Sequence, residues 1–195
     1  MEQYNLEFCF KGNRNYVHGT DIYQKVFDLL SHEIEEKFDL SFHGIATKNM
    51  KLSHQVPTDE SLIKFVCKHI DKSKNKVVLY GIEIDSKIEC RYNYLEEDIC
   101  ALSQVNISKQ ELILTKDSSY SFIENSVALN KYLLEKLFPD ANGKWYFTRL
   151  QLEQLPKKIS YPLKLNLKAN FNFKLTKTEI FIENQSIGFI YFSLV

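Results

Sequence analysis

Along the chain the apolar positions alternate between two periods, and the changes of period mark the elements. Residues 4–11 read as a strand, with Leu6, Cys9 and Phe10 apolar and Gly12-Asn13 ending it. From Gly19 or Thr20 the spacing turns helical. Ile22, Val26, Leu29, Leu30 and Ile34 recur at three- and four-residue steps, while Lys25, Glu33, Glu35 and Glu36 hold the other side. Thr20 reads as the N-cap, and Asp21 complements the positive helix start. Leu40 to Ala46 reads as a strand. A second, shorter helix is expected near 58–71: Pro57-Thr58-Asp59-Glu60 is a start signal, and Leu62, Ile63, Phe65, Val66 and Ile70 follow. Lys76–Ile84 and Ile88–Tyr94, around Asp85-Ser86-Lys87, predict a hairpin.

The pattern then restarts. Glu111–Thr115 reads as a strand, Asp117-Ser-Ser119 as a turn, and Ile123–Phe138 as a helix with Val127, Leu134 and Leu137 on one stripe, stopped by Pro139 to Gly143. Trp145–Leu152 and Tyr161–Phe173 read as strands. Glu179–Glu183, Asn184-Gln185 and Ser186–Phe192 predict a closing hairpin. Ile-Glu-Ile-Asp at 82–85 has its counterpart in Ile-Phe-Ile-Glu at 180–183, and Asn15-Tyr16 before the first helix in Ser119-Tyr120 before the second. These parallels predict a duplicated α+β architecture, with halves at 1–103 and 104–195.

Composition changes this picture at three points. Lys and Arg (25) equal Asp and Glu (25), so the chain lacks the general basic surplus of a phosphate-backbone binder, and no nucleic-acid partner is expected. No apolar run approaches the roughly 18 residues of a membrane span, and the start Met-Glu-Gln-Tyr-Asn is polar, so a soluble, cytoplasmic protein is expected. Cys9, Cys67, Cys90 and Cys100 form neither a C-x-x-C pair nor a zinc spacing, and read as reduced, mostly buried thiols. The five histidines (18, 32, 43, 54, 69) show no H-x-x-x-H or H-E-x-x-H spacing, so no metal site is expected.

Strand, one long helix, then several strands with long hairpins is the element order of the hotdog fold, and two such units in tandem resemble a double hotdog. The resemblance implies two hotdog-like halves, each a curved antiparallel sheet wrapped around one long helix, the first with an extra helix near 58–71. It further implies an acyl thioester, on coenzyme A or an acyl carrier protein, as ligand, with thioesterase- or dehydratase-type chemistry and no resident cofactor. In such proteins the ligand lies between the paired halves beside a helix start. Neither a dehydratase-like His-Phe-Pro-Gly stretch nor a thioesterase-like Asp-x-x-Gly-His stretch is present. The alternative is a degenerate, non-catalytic hotdog protein serving as a protein- or ligand-binding module. A pair of ferredoxin-like halves would need more helix. A fused double unit is compatible with a monomer or a homodimer.

The chemistry-bearing residues gather at Tyr16-Val-His-Gly-Thr-Asp-Ile-Tyr23, where a strand-like run joins the first helix. A helix start offers unpaired N–H groups and partial positive charge to a carbonyl becoming an oxyanion. His18 is suited to general acid–base work near neutral pH, with Asp21 three residues on as its orienter. Gly19 permits close backbone approach, and Thr20 lies in the same first turn. Arg14 can grip a carboxylate or phosphate by its planar fork. Tyr16 and Tyr23 flank the junction as ligand contacts or half-buried anchors. From the second half, Glu124 is a candidate carboxylate opposite His18, or a simple complement to its own helix start. Asn130, on the inward stripe with Val127 and Leu134, must hydrogen-bond either structurally or to a ligand. His43 is a second catalytic candidate, and Lys131, Trp145 and Arg149 read as packing and solvated charge.

Overall fold

A computed structural model of the chain describes residues 3–156 and 158–195; the reading of the terminal Met1 and Glu2 lies outside them. The chain divides into two compact units, Met1–Tyr94 and Leu95–Val195.

The first unit runs β1 (Tyr4–Leu6), β2 (Phe10–Lys11), α1 (Gly19–Leu30), β3 (Ile34–Phe42), β4 (Met50–Ser53), β5 (Ile63–Asp71), β6 (Lys76–Glu83) and β7 (Arg91–Tyr92). Five strands pair antiparallel in the order β1-β4-β6-β5-β3, and β2 pairs with β7 in parallel. The apolar stripe of α1 is buried: Ile22, Tyr23, Val26 and Leu30 are each at most 3% exposed. Tyr23 meets Phe38 of β3 edge-on at 5.7 Å between ring centroids. Burial on this scale contributes about 1.5–3 kcal/mol per large side chain and fixes the helix against its sheet.

Four expectations for this unit are corrected. The helix begins at Gly19, the earlier of the two expected starts, with His18 rather than Thr20 as N-cap (φ −74°, ψ 140°), and ends at Leu30. Ile34 continues the helical spacing by coincidence: it is a buried strand residue, opposite Asp71. No helix occupies 58–71. The start signal yields one 3₁₀ turn, Glu60–Leu62, whose Asp59 side chain accepts from the Ser61 N–H at 3.0 Å. The following apolar run is β5, an interior strand paired on both edges, by β3 and by β6. A run of adjacent buried residues, Phe65-Val66-Cys67, satisfies helical and strand templates alike. Finally, 88–94 is not the second arm of a hairpin on β6. The true hairpin is β5–β6, and 84–90 leaves the sheet.

The thiols also require correction. Cys9 and Cys90, 81 residues apart, form a disulfide with Cα atoms 4.7 Å apart, next to the β2–β7 pair, while Cys67 and Cys100 are free. Burial pushes the Cys67 thiol far above its ordinary pKa and the Cys100 thiol up to about 11.

The second unit runs α2 (Glu96–Ala101), β8 (Ser103–Asn106), β9 (Glu111–Leu114), α3 (Phe122–Leu137), β10 (Trp145–Leu152), β11 (Leu163–Phe171), β12 (Leu175–Ile182) and β13 (Gln185–Leu194). Its antiparallel order is β10-β13-β12-β11-β9-β8. This compact unit starts at Leu95, and within it α2 packs on α3. Ser121-x-x-Glu124 closes a capping box on α3: the Ser121 Oγ accepts from the Glu124 N–H at 3.3 Å and Glu124 Oε2 from the Ser121 N–H at 3.1 Å. The β12–β13 turn places Glu183 and Asn184 at φ 51° and 67°, the left-handed pair a two-residue hairpin demands.

Candidate functional site

The junction before α1 carries a polar cluster organised around a buried cation. Lys11, on β2, is 0% exposed. Its Nζ donates to Thr20 Oγ1 at 3.1 Å and to Asp21 Oδ1 at 3.3 Å, and lies 4.1 Å from the centroid of the Tyr94 ring and 5.6 Å from that of Tyr92. Asp21 Oδ1 also accepts from the Tyr92 hydroxyl at 2.8 Å and from Thr20 Oγ1 at 3.2 Å. His18 Nδ1 meets Thr20 Oγ1 at 2.7 Å. His18 and Asp21 are therefore linked through Thr20 rather than directly. A buried ammonium needs a counter-charge and the negative faces of aromatic rings. Asp21 and Tyr94 supply both.

Local sequence explains the placement. The N-cap residue His18 makes no side-chain cap hydrogen bond, so the start of α1 lacks the reciprocal closure that Ser121 and Glu124 give α3. Val17, buried, fixes the entry of the chain by donating its N–H to the Ala46 carbonyl at 2.8 Å. Arg91 fastens β7 to the 12–15 turn by donating to Arg14 O at 2.7 Å and Asn15 Oδ1 at 2.9 Å.

Beside the cluster lies an open cleft of about 800 Å³, lined by Asp21, Gln24, Lys25 and Asp28 of α1, by Glu7, Phe8, Asn49, Ser86, Lys87, Glu89 and Tyr92, and by the Cys9–Cys90 disulfide. Its charged lining is four carboxylates and two lysines, and its walls mix polar and apolar atoms.

The remaining candidates fall as follows. Arg14 has its guanidinium 5.9 Å from the Tyr94 ring centroid, at the rim of the cluster. Gly19 opens α1 and Tyr16 is half-buried just before it. Tyr23 is packed between Phe27 and Phe38, and burial pushes its hydroxyl far above its ordinary pKa. Glu124 belongs to the second unit and is committed to its own helix cap. Asn130 is 0% exposed there, and neither amide atom has a hydrogen-bond partner; Ser126, one turn earlier, is in the same state. His43 pairs with Ser41 at 3.2 Å on an exposed edge. Lys11, Tyr92 and Tyr94 were not among the sequence candidates. Their only local signal is an alternating basic–aromatic grouping in Arg91-Tyr-Asn-Tyr94. Among the described residues no group of acidic, His or Cys side chains could hold a metal ion, and no helix is long and apolar enough to cross a membrane.

No protein-family model matches the chain, and no curated protein does. Solved structures do. A candidate thioesterase II from Thermobifida fusca YX matches over 100% of this chain and 93% of its own, at a TM-score of 0.52 and 10% identity. The tesB protein of Mycobacterium avium subs paratuberculosis matches over 97% of this chain and 90% of its own, at 0.51 and 5%. The dehydratase domain of PpsC from Mycobacterium tuberculosis, in complex with C12:1-CoA, covers 99% of this chain at 0.46 and 7%. At such identities the likeness is one of fold: the chain has the hotdog fold, antiparallel sheet with few helices, as its element order indicated.

Proposed function

We propose that each unit is a hotdog half and that the protein binds or acts on an acyl thioester, carried by coenzyme A or an acyl carrier protein, beside the start of α1. The observation that carries this reading is the polar cluster at an unclosed helix start, with Asp21 reaching both the cluster and the cleft. A thioester carbonyl placed at the first turn meets the positive end of α1. His18 serves as acid–base. Thr20 passes its hydrogen bond to Asp21, and the Lys11 ammonium holds that carboxylate in place. The cleft's mixed lining and acid-rich charge suit a neutral, amide-bearing pantetheine arm and acyl chain better than a nucleotide. Asn130, buried without a partner, supports a second polar ligand contact in the other unit. The protein needs no resident cofactor in this reading and works as a monomer or homodimer in the cytoplasm.

A non-catalytic binding module is the second reading, favoured by the closure of the cluster on itself: Asp21 Oδ1 already accepts from Lys11, Thr20 and Tyr92. One experiment separates them. Wild type and His18→Ala are assayed for thiol release from a panel of acyl-CoA thioesters and for binding by calorimetry, with the melting temperature as control. Turnover lost in His18→Ala at unchanged melting temperature is the expected outcome. Saturable binding retained in both proteins without turnover favours the module. Absence of binding and turnover in wild type overturns the proposal.

A further inference from the structure

The geometry points to the Cys9–Cys90 disulfide as a thiol-exchange site through which a dithiol reductant dismantles the polar cluster at the start of α1. The inference concerns the same site as the proposed acyl-thioester function and gives it a control. Residues 84–94 form a strap with no fully buried side chain. Yet this strap supplies the Tyr92 hydroxyl bonded to Asp21 and the Tyr94 ring 4.1 Å from the Lys11 ammonium. It is the cover that makes Lys11 fully buried. Besides the disulfide and the tyrosine contacts, its fastenings are polar: a two-residue parallel ladder, Arg91, the exposed Lys48–Asp85 pair at 2.7 Å, and Asn49, whose Nδ2 donates to Ser86 Oγ and Lys87 O at 3.1 Å each and whose backbone bonds to Ile84 and Ser86. Ile84, Ile88 and Tyr94 are only half-buried, and a segment with no fully buried side chain sits at the low end of local stability. The disulfide is the covalent link that ties this strap to Cys9 across an 81-residue separation, so its reduction leaves the strap held by these polar contacts alone.

The bond is also reachable. Cys90 is exposed, and both cysteines line the open cleft. Exposed disulfides are the labile, regulatory kind, and in a reducing compartment they persist only transiently. A thiolate of the reductant attacks Cys90 Sγ; the Sγ–Sγ bond breaks and Cys9 leaves, taking up a proton. The reductant's second thiol then attacks the mixed disulfide, releasing Cys90 as a thiol and the reductant as its own disulfide. Two electrons pass to the protein. With the strap loosened, Tyr92 and Tyr94 withdraw, and Lys11 and Asp21 face solvent at the cleft.

The test follows acetylation of Lys11 by an amine-reactive reagent, read by peptide mass spectrometry, in oxidised protein, in protein treated with dithiothreitol and in the Cys9→Ser/Cys90→Ser variant. Alkylation of Cys67, 0% exposed in β5, reports loss of the core. Lys11 labelling is expected to rise about tenfold or more in the reduced and variant proteins while Cys67 stays protected, as a local opening requires. Lys11 equally protected in all three samples overturns the inference. So does Cys67 exposed in step with Lys11, because the disulfide then merely holds the unit together. Labelling needs no ligand. If Lys11 responds to redox state but no acyl-CoA binds in either state, the proposed function fails and the redox control stands.

Discussion

The Lys11–Asp21 pair is uneven, and that makes its energetics testable. The Lys11 side chain is 0% exposed and the Asp21 side chain 18%. Truncation of Asp21 in Asp21→Ala strips a fully buried ammonium of this carboxylate. Breaking a buried pair in that way costs about 3–5 kcal/mol, because the ion left behind has lost its hydration without its partner. Truncation of the other partner in Lys11→Met keeps the apolar stem packed. The remaining carboxylate lies at the rim, still accepts from Tyr92 and Thr20, and sits at the positive end of α1. Its cost is about 1–2 kcal/mol, on the scale of one lost charge-assisted hydrogen bond. The double variant should be only about 1–2 kcal/mol worse than Lys11→Met alone, giving a coupling of about 2–3 kcal/mol in a double-mutant cycle. Urea unfolding, followed by the midpoint at constant slope, measures all three. Asp21→Ala costing no more than Lys11→Met, or costs that simply add, would refute the assignment of Lys11 as a buried cation organised by Asp21.

Two further outcomes follow from the packing of β5 and β6. His69 is 3% exposed with neither ring nitrogen bonded, and burial holds its pKa below the ordinary 6.5, outweighing the opposite pull of Glu33 and Asp71. The unfolded chain therefore binds the proton more readily, so stability present above pH 6.5 is lost as pH falls towards the depressed value. The slope is at most about 1.4 kcal/mol per pH unit, and His69→Leu should flatten it in melting curves from pH 7.5 to 5. Gly81 stands opposite Phe65, where an added Cβ would fall 1.9 Å from the ring of a fully buried side chain. Gly81→Ala should cost about 3 kcal/mol, the upper range of overpacking. The second-site change Phe65→Leu should recover part of it, and an unchanged midpoint in Gly81→Ala would contradict the packing described.

What the sequence revealed and what it hid divide along sequence distance. The α1 and α3 stripes, β10 and the β12–β13 hairpin are written in local spacing and turn chemistry, and all appear near their expected bounds. The error at 58–71 has a physical origin: β5 is paired on both edges and carries buried neighbours in succession, so it loses the alternation that marks a strand. At the site, the Tyr16–Tyr23 junction was legible because helix start, histidine and carboxylate are contiguous. Its partners were not. Lys11 meets Asp21 across 10 residues, Tyr92 meets Asp21 across 71, and Cys9 meets Cys90 across 81. No local pattern encodes such meetings; they follow from the parallel β2–β7 pairing, which is itself only two residues long.

That same pairing has a mechanical consequence. With Cys9 joined to Cys90 and the other two cysteines free, the chain from 10 to 89 is a covalent loop, and it contains α1 and β3 to β6. Tension applied through the two ends of the polypeptide passes across one sulfur–sulfur bond and bypasses the loop. In the oxidised protein the load reaches that sheet only through the β1–β4 ladder, whose first strand lies outside the loop, and the stretched chain is shorter by roughly 270 Å at about 3.4 Å per residue. Reduction returns that length, so the redox state of one bond decides whether α1 and β3 to β6 can be drawn out along the line of pull.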